Sequence, residues 1–92
     1  MHVEFDANKD ALNQSKHGVS LSLAEQIDWP GVMCTADDRR DYGEVREIGF
    51  AVIGQRLYVV VFSQRGNTMR VISLRKANRR EVALYEQAIE DE

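Results

Sequence analysis

At 92 residues, with a formal net charge of −3 and a pI near 5.4, the chain is sized for one domain with a thin core, and its acidity argues against a whole-surface affinity for nucleic acid. Its 43% hydrophobic and 29% charged residues are those of an ordinary soluble globular protein. One cysteine, Cys34, excludes an intrachain disulfide or a cysteine-rich metal site, and the longest apolar run, LYVVVF, is too short to cross a membrane.

The opening MHVEFDANKD has no apolar h-region, so no signal peptide is expected and the cytoplasm is the consistent compartment. Val3 and Phe5 alternate with polar neighbours as in a short strand. Asp6 or Asn8 can cap a helix that runs through ANKDALNQSK to Gly18, with Ala11 and Leu12 as its shallow apolar contacts. SLSLAEQI restarts a helix, capped by Ser22 with Glu25 or by Ser20, and Trp29-Pro30-Gly31 ends it. VMCTA reads as a strand, and DDRRDYGE as a polar turn about Gly43.

Three strand-like runs follow: EVREIGFAVIG, RLYVVVFSQR and TMRVISLRK. Gly54-Gln55 and Gly66-Asn67 separate them, as expected of two-residue hairpin turns. ANRREVALYEQAIEDE closes the chain as a helix, with a capping box of Asn78 and Glu81 and an apolar stripe of Val82, Tyr85 and Ile89. The order β–α–α–β–β–β–β–α predicts an α+β domain over residues 1–92. It combines a small antiparallel sheet with two N-terminal helices and one C-terminal helix.

Charge is spread unevenly over this frame. Residues 65–80 hold six positive charges and no acid, so a net charge of −3 leaves −9 for the rest of the chain. Counting outward from two-residue turns places Phe50, Val59 and Leu74 in one row and Ile48, Val61 and Ile72 in the next. Arg46, Ser63 and Arg70 continue that face, followed by Glu44 and Arg65. The opposite face carries Phe62 with Val71, Val60 with Ser73, and Tyr58 with Arg75. Arginines flanking a serine repel one another unless an anion lies over them, and Glu44 and a phosphate both qualify.

His17 has two readings. It can move a proton near neutral pH, or it can simply favour the negative end of its helix; Lys16 shares the ambiguity. Tyr85 reads as core, Cys34 as a small buried hydrophobe, and Trp29 as a packing residue or part of a partner surface. No Gly-rich phosphate loop, zinc spacing or G-x-S-x-G elbow is present.

Taken together, Phe5-Asp6, Asn13 and Lys16-His17-Gly18, then Tyr42 to Gly49, then RVISLRKANRREVALYE resemble the BrnT family. The resemblance runs from about Phe5 to Tyr85. It implies a RelE-like fold and a ribonuclease toxin of a type II toxin–antitoxin pair, which inhibits translation by cleaving RNA without a metal or other cofactor. The family-like polar residues are Lys16, His17, Glu44, Arg46, Arg65, Arg70, Arg75, Arg80, Glu81 and Tyr85. Within the reading that this implies, Arg46, Arg65 and Arg70 contact the phosphate and its transition state, and His17 carries the proton. Lys16, Arg75, Lys76, Arg79 and Arg80 contact the RNA backbone. The implied partners are RNA, free or as ribosome-bound mRNA, and a BrnA-type antitoxin that alone contacts operator DNA; no membrane is involved. The alternative is a non-catalytic binding module that serves its partner as a corepressor.

Overall fold

The computed structural model describes residues 1–91. Helix α1 (Ala7–His17) follows strand β1 (His2–Glu4). Two short 3₁₀ turns, Leu21–Gln26 and Trp29–Gly31, lead into β2 (Met33–Ala36), β3 (Glu47–Ile53), β4 (Arg56–Arg65), β5 (Thr68–Lys76) and helix α2 (Arg79–Glu90). The strands form one sheet in the order β1-β5-β4-β3-β2. Glu92, part of the expected closing helix, lies outside the described residues.

Local chemistry accounts for most of these boundaries. Asp6 caps α1 by accepting the Lys9 N–H at 3.0 Å, and Ser20 rather than Ser22 caps the first 3₁₀ turn. Gly54 and Gly66 open the two hairpin turns with φ of 62° and 58°, the left-handed backbone that a type II′ turn needs at its first central residue. Asn78 and Glu81 complete the capping box of α2 with bonds of 2.8 and 2.9 Å.

Five expectations are corrected. The second N-terminal helix is absent: Leu21, Ala24 and Ile27 recur every third residue, and all three are buried. That spacing lines up in a 3₁₀ turn, whereas a 3.6-residue helix would fan it out. The sheet is not wholly antiparallel, because β1 joins its edge parallel to β5. On α1, Ala11 and Leu12 face solvent and the buried residue is Asn13. Cys34 is exposed on the edge strand β2 and its thiol donates to Glu47 Oε1 at 3.4 Å.

The fifth correction concerns register. The second hairpin pairs Ser63 with Arg70 and Phe62 with Val71 as counted, but a bulge then pairs Val61 with Ser73 and Val60 with Leu74. Val71 and Leu74 are both essentially unexposed, on the face that the N-terminal segment covers. Residues three apart in a regular strand point to opposite faces, so one extra residue is needed to bury both. Beyond the bulge Arg75 lies opposite Val59, on the face that α2 covers.

The two faces are unequal. The N-terminal segment lays Val19, Leu21, Ala24, Ile27 and Trp29 over Tyr58, Val60, Phe62, Met69, Val71 and Leu74. Trp29 is therefore a packing residue, edge-on to Phe62 at 4.9 Å. On the other face Val82 and Tyr85 of α2 pack over Leu57, Val59, Phe50 and Ala77, and Tyr85 meets Phe50 edge-on at 5.7 Å. No residue of α2 is fully buried, and the helix covers only one end of that face.

Candidate active site

The uncovered end of the α2 face is where β4 finishes and β3, β5 and β1 begin. Alternation sends Ser63, Arg65 and Arg70 to this face, and Arg46 enters it from the loop just before β3. Ser63 is buried at the centre and donates its hydroxyl to the Val45 carbonyl at 2.9 Å. Glu44 lies between two of the arginines, 3.0 Å from Arg65 Nη2 and 3.7 Å from Arg46 Nε. The hydrogen bond from Arg65, ahead of the charge of Arg46, holds the Glu44 carboxyl below its ordinary range. Arg70 is met by Glu4, its neighbour on β1, at 3.3 Å.

These three guanidiniums are not equivalent. Arg65 is 63% exposed and Arg70 about one-third exposed, and each already donates to a carboxylate. Arg46 is only 20% exposed, and its buried Nε has no hydrogen-bond partner, since Glu44 at 3.7 Å is beyond bonding range. Its guanidinium instead lies 3.9 Å over the Tyr42 ring. The site thus contains a largely buried cation whose Nε has no partner in the protein.

The remaining expected residues fall into other groups. Arg75 is held bidentate by Glu81 at 2.7 and 2.7 Å, which ties β5 to the first turn of α2. Arg75 in turn holds Glu81 at a pKa of about 2. Arg79 and Arg80 are exposed at the start of α2. Lys76 pairs with Tyr58 and so points to the opposite face. Lys16 and His17 sit at the end of α1, lining a shallow depression of about 310 Å³ with Lys9, Leu12, Asn13, Ile72 and Ser73. Burial, then the charges of Lys16 and Arg75, lower the His17 pKa, so its imidazole is neutral at pH 7. Ser73 lies three residues beyond Arg70 on β5, roughly 10 Å along the strand. The structure therefore gathers Arg46, Arg65 and Arg70 and sets His17 apart from them.

Sequence reasoning missed Asp37, which anchors the loop carrying Glu44 and Arg46, and Glu4, which engages Arg70. Asp37 stands in a polar run that gives no hydropathy signal. Glu4 was legible as the residue between Val3 and Phe5, on the opposite side of β1. Among the described residues no three or more His, Cys, Asp or Glu converge as metal ligands, and no helix is long and apolar enough to cross a membrane.

No curated protein matches the chain. The family described as the ribonuclease toxin BrnT of type II toxin–antitoxin systems matches residues 5–81, a span that includes the arginine strip, α1 and the start of α2. A match over most of the chain, on a fold that assembles the family-like arginines at one end of a sheet, leads to one conclusion: this chain belongs to the BrnT family of ribonuclease toxins.

Proposed function

We propose that Arg46, Arg65 and Arg70 hold the scissile phosphate of an RNA strand, and that cleavage proceeds without a metal ion. Family membership implies an RNA substrate and an antitoxin protein partner. In this reading the ribose 2′-oxygen attacks phosphorus and the bond to the 5′-oxygen breaks. One proton leaves the 2′-hydroxyl and another reaches the departing oxygen, giving a 2′,3′-cyclic phosphate and a 5′-hydroxyl. The arginine forks stabilise the charge that develops on the phosphoryl oxygens. Lys16, Arg79 and Arg80 supply further backbone contacts, whereas Lys76 lies on the opposite face and Arg75 is occupied by Glu81. A BrnA-type antitoxin neutralises the toxin and carries the complex to operator DNA, and ribosome-bound mRNA is included among the substrates.

The observation that carries this reading is the largely buried Arg46, whose Nε lacks an acceptor, beside two further arginines. Induced expression of the wild type should arrest growth and fragment total RNA. Arg46→Ala/Arg70→Ala, expressed at the same soluble level, should do neither. Cleavage that survives the double substitution would place the chemistry elsewhere.

A second reading has its own support. Glu44 and Glu4 already engage Arg65 and Arg70, so the strip is partly neutralised from within. A corepressor that only tunes its antitoxin's DNA affinity needs no more than this. Soluble, folded wild type that binds its antitoxin tightly but leaves growth and RNA unchanged would favour that reading.

The proton acceptor can be tested separately. If His17 takes the 2′-hydroxyl proton, it must be neutral, and its lowered pKa moves its protonation to below pH 6.5. The cleavage rate should then be level at pH 7 and fall on the acid side, and His17→Gln should lose most activity at every pH. An unchanged profile in His17→Gln would shift the role to Glu44, which lies within the strip.

A further inference from the structure

The segment between β2 and β3 delivers Glu44 and Arg46 to the strip, and one buried carboxylate ties it down. The Asp37 side chain is 1% exposed. Its oxygens accept Arg39 Nε and Nη2 at 2.7 Å each, and the Tyr42 hydroxyl at 3.4 Å. Its backbone N–H donates to the Arg46 carbonyl at 2.7 Å, extending the β2–β3 ladder by one step. Tyr42, whose hydroxyl reaches Asp37, presents its ring to the Arg46 guanidinium at 3.9 Å. Asp37 is thus joined to Arg46 twice, through the main chain and through the tyrosine.

The two links act differently. The main-chain bond fixes where the Arg46 backbone lies, and the hydroxyl–carboxylate bond restrains the tilt of the Tyr42 ring. That ring is the support for a guanidinium whose buried Nε has no partner. The tilt of the ring therefore sets the plane of the fork, and a planar fork binds a phosphate only within a narrow range of orientation.

We infer that Asp37 is a positioning residue, which acts through Tyr42 to hold the Arg46 guanidinium in the plane that meets the phosphate. It does this without touching RNA. The inference rests on the reading of the arginine strip as the phosphate site. Arg39, two-thirds exposed, balances the buried charge. The hydrogen bonds from Arg39, with Tyr42 adding to them, hold the Asp37 carboxyl at about 2, so it stays ionised across the working pH range.

The test uses Asp37→Asn, Tyr42→Phe and the double variant, with two readouts. The first is the side-chain NMR signal of Arg46 Nε–Hε, which the Tyr42 ring should shift upfield in the wild type. Tyr42→Phe keeps the ring but frees its tilt, so both single variants should move this signal toward the value of an unstacked arginine. The second is the rate of RNA loss after induction at matched protein level. Each single variant should slow it about tenfold, because small displacements of a positioned group are costly. The double should be no slower than the slower single, as for two members of one relay. Effects that multiply, or an Arg46 signal unmoved by Asp37→Asn, would overturn the inference. If Asp37→Asn fails to fold, Tyr42→Phe removes one hydroxyl and carries both readouts. If the wild type cleaves no RNA, the phosphate reading falls, and the Arg46 signal still decides whether Asp37 sets that side chain.

Discussion

Replacing Asn13 with alanine is expected to lower the stability of the fold by about 2–4 kcal/mol, the cost of leaving two or three buried polar groups unpaired. Leu74 is fully buried on β5, paired with Val60, and its N–H and C=O point away from β4. No strand lies on that side, because β1 pairs only with residues 68–70 of β5. Asn13 fills the gap: its Oδ1 accepts the Leu74 N–H at 3.2 Å, and its Nδ2 donates to the Leu74 carbonyl at 2.7 Å and the Val19 carbonyl at 2.9 Å. One amide side chain thus does what a neighbouring strand would do, and joins α1, the following segment and the sheet. Urea unfolding at pH 7 measures the loss: for a slope of about 1 kcal/mol/M the midpoint should fall by about 2–4 M.

Asn13→Asp sharpens the argument. A carboxylate can accept from Leu74 N–H but would face two carbonyls it cannot donate to. Burial against those oxygens raises its folded-state pKa above the unfolded value. The variant should therefore be least stable at neutral pH and recover as pH falls through the raised pKa, when one proton becomes available to donate. A wild-type midpoint in Asn13→Ala would mean that the sheet edge is satisfied in some other way.

Much of this architecture could be read from residue order. The hairpin glycines, the capping box of Asn78 and Glu81 and the Asp6 cap are local signals, and local geometry decides them. The row of Arg46, Ser63 and Arg70 was legible because it lies between the second turn and the bulge, where counting from the turn holds. What failed depends on packing. Burial of both Val71 and Leu74 on one face forces the bulge, and the spacing of three between them was the available clue. Repetition at every third residue from Leu21 to Ile27 was a similar clue, against an α-helix there. Asp37 gave none, and Asn13 stood out only through the family resemblance: a buried amide or carboxylate looks like a surface residue until its partners, 61 residues away in the case of Leu74, are in place. Cys34 was misplaced for the converse reason, since its strand ends the sheet and has nothing beyond it to bury against.

Among single substitutions in the strip, Arg46→Ala is expected to cost the most activity, about 10²–10³-fold in the rate of RNA cleavage, as for loss of one pre-organised donor at a developing oxyanion. Arg65→Ala should cost tenfold or less, a factor of about ten being the worth of roughly 1.4 kcal/mol of contact. The ranking follows from what each side chain must give up to reach a phosphate. Arg65 is mostly in water and must leave Glu44, so part of its attraction to the substrate is spent in that exchange. Arg46 is largely buried and lies over Tyr42, and its buried Nε has no partner, so its exposed donors can meet an arriving phosphate without giving up a hydrogen bond to a carboxylate. Arg46→Lys should restore little, because an ammonium has neither the fork nor the flat face that the ring supports. Folding should hardly change: the substitution loses a cation–π contact worth about 0.5–2 kcal/mol but also removes an unpaired buried donor, and these effects oppose one another. Cleavage rates and thermal midpoints measured side by side separate the two effects. If Arg65→Ala proves the more damaging, the exposed arginine is the one that reads the phosphate, and the buried one serves to keep Glu44 in place.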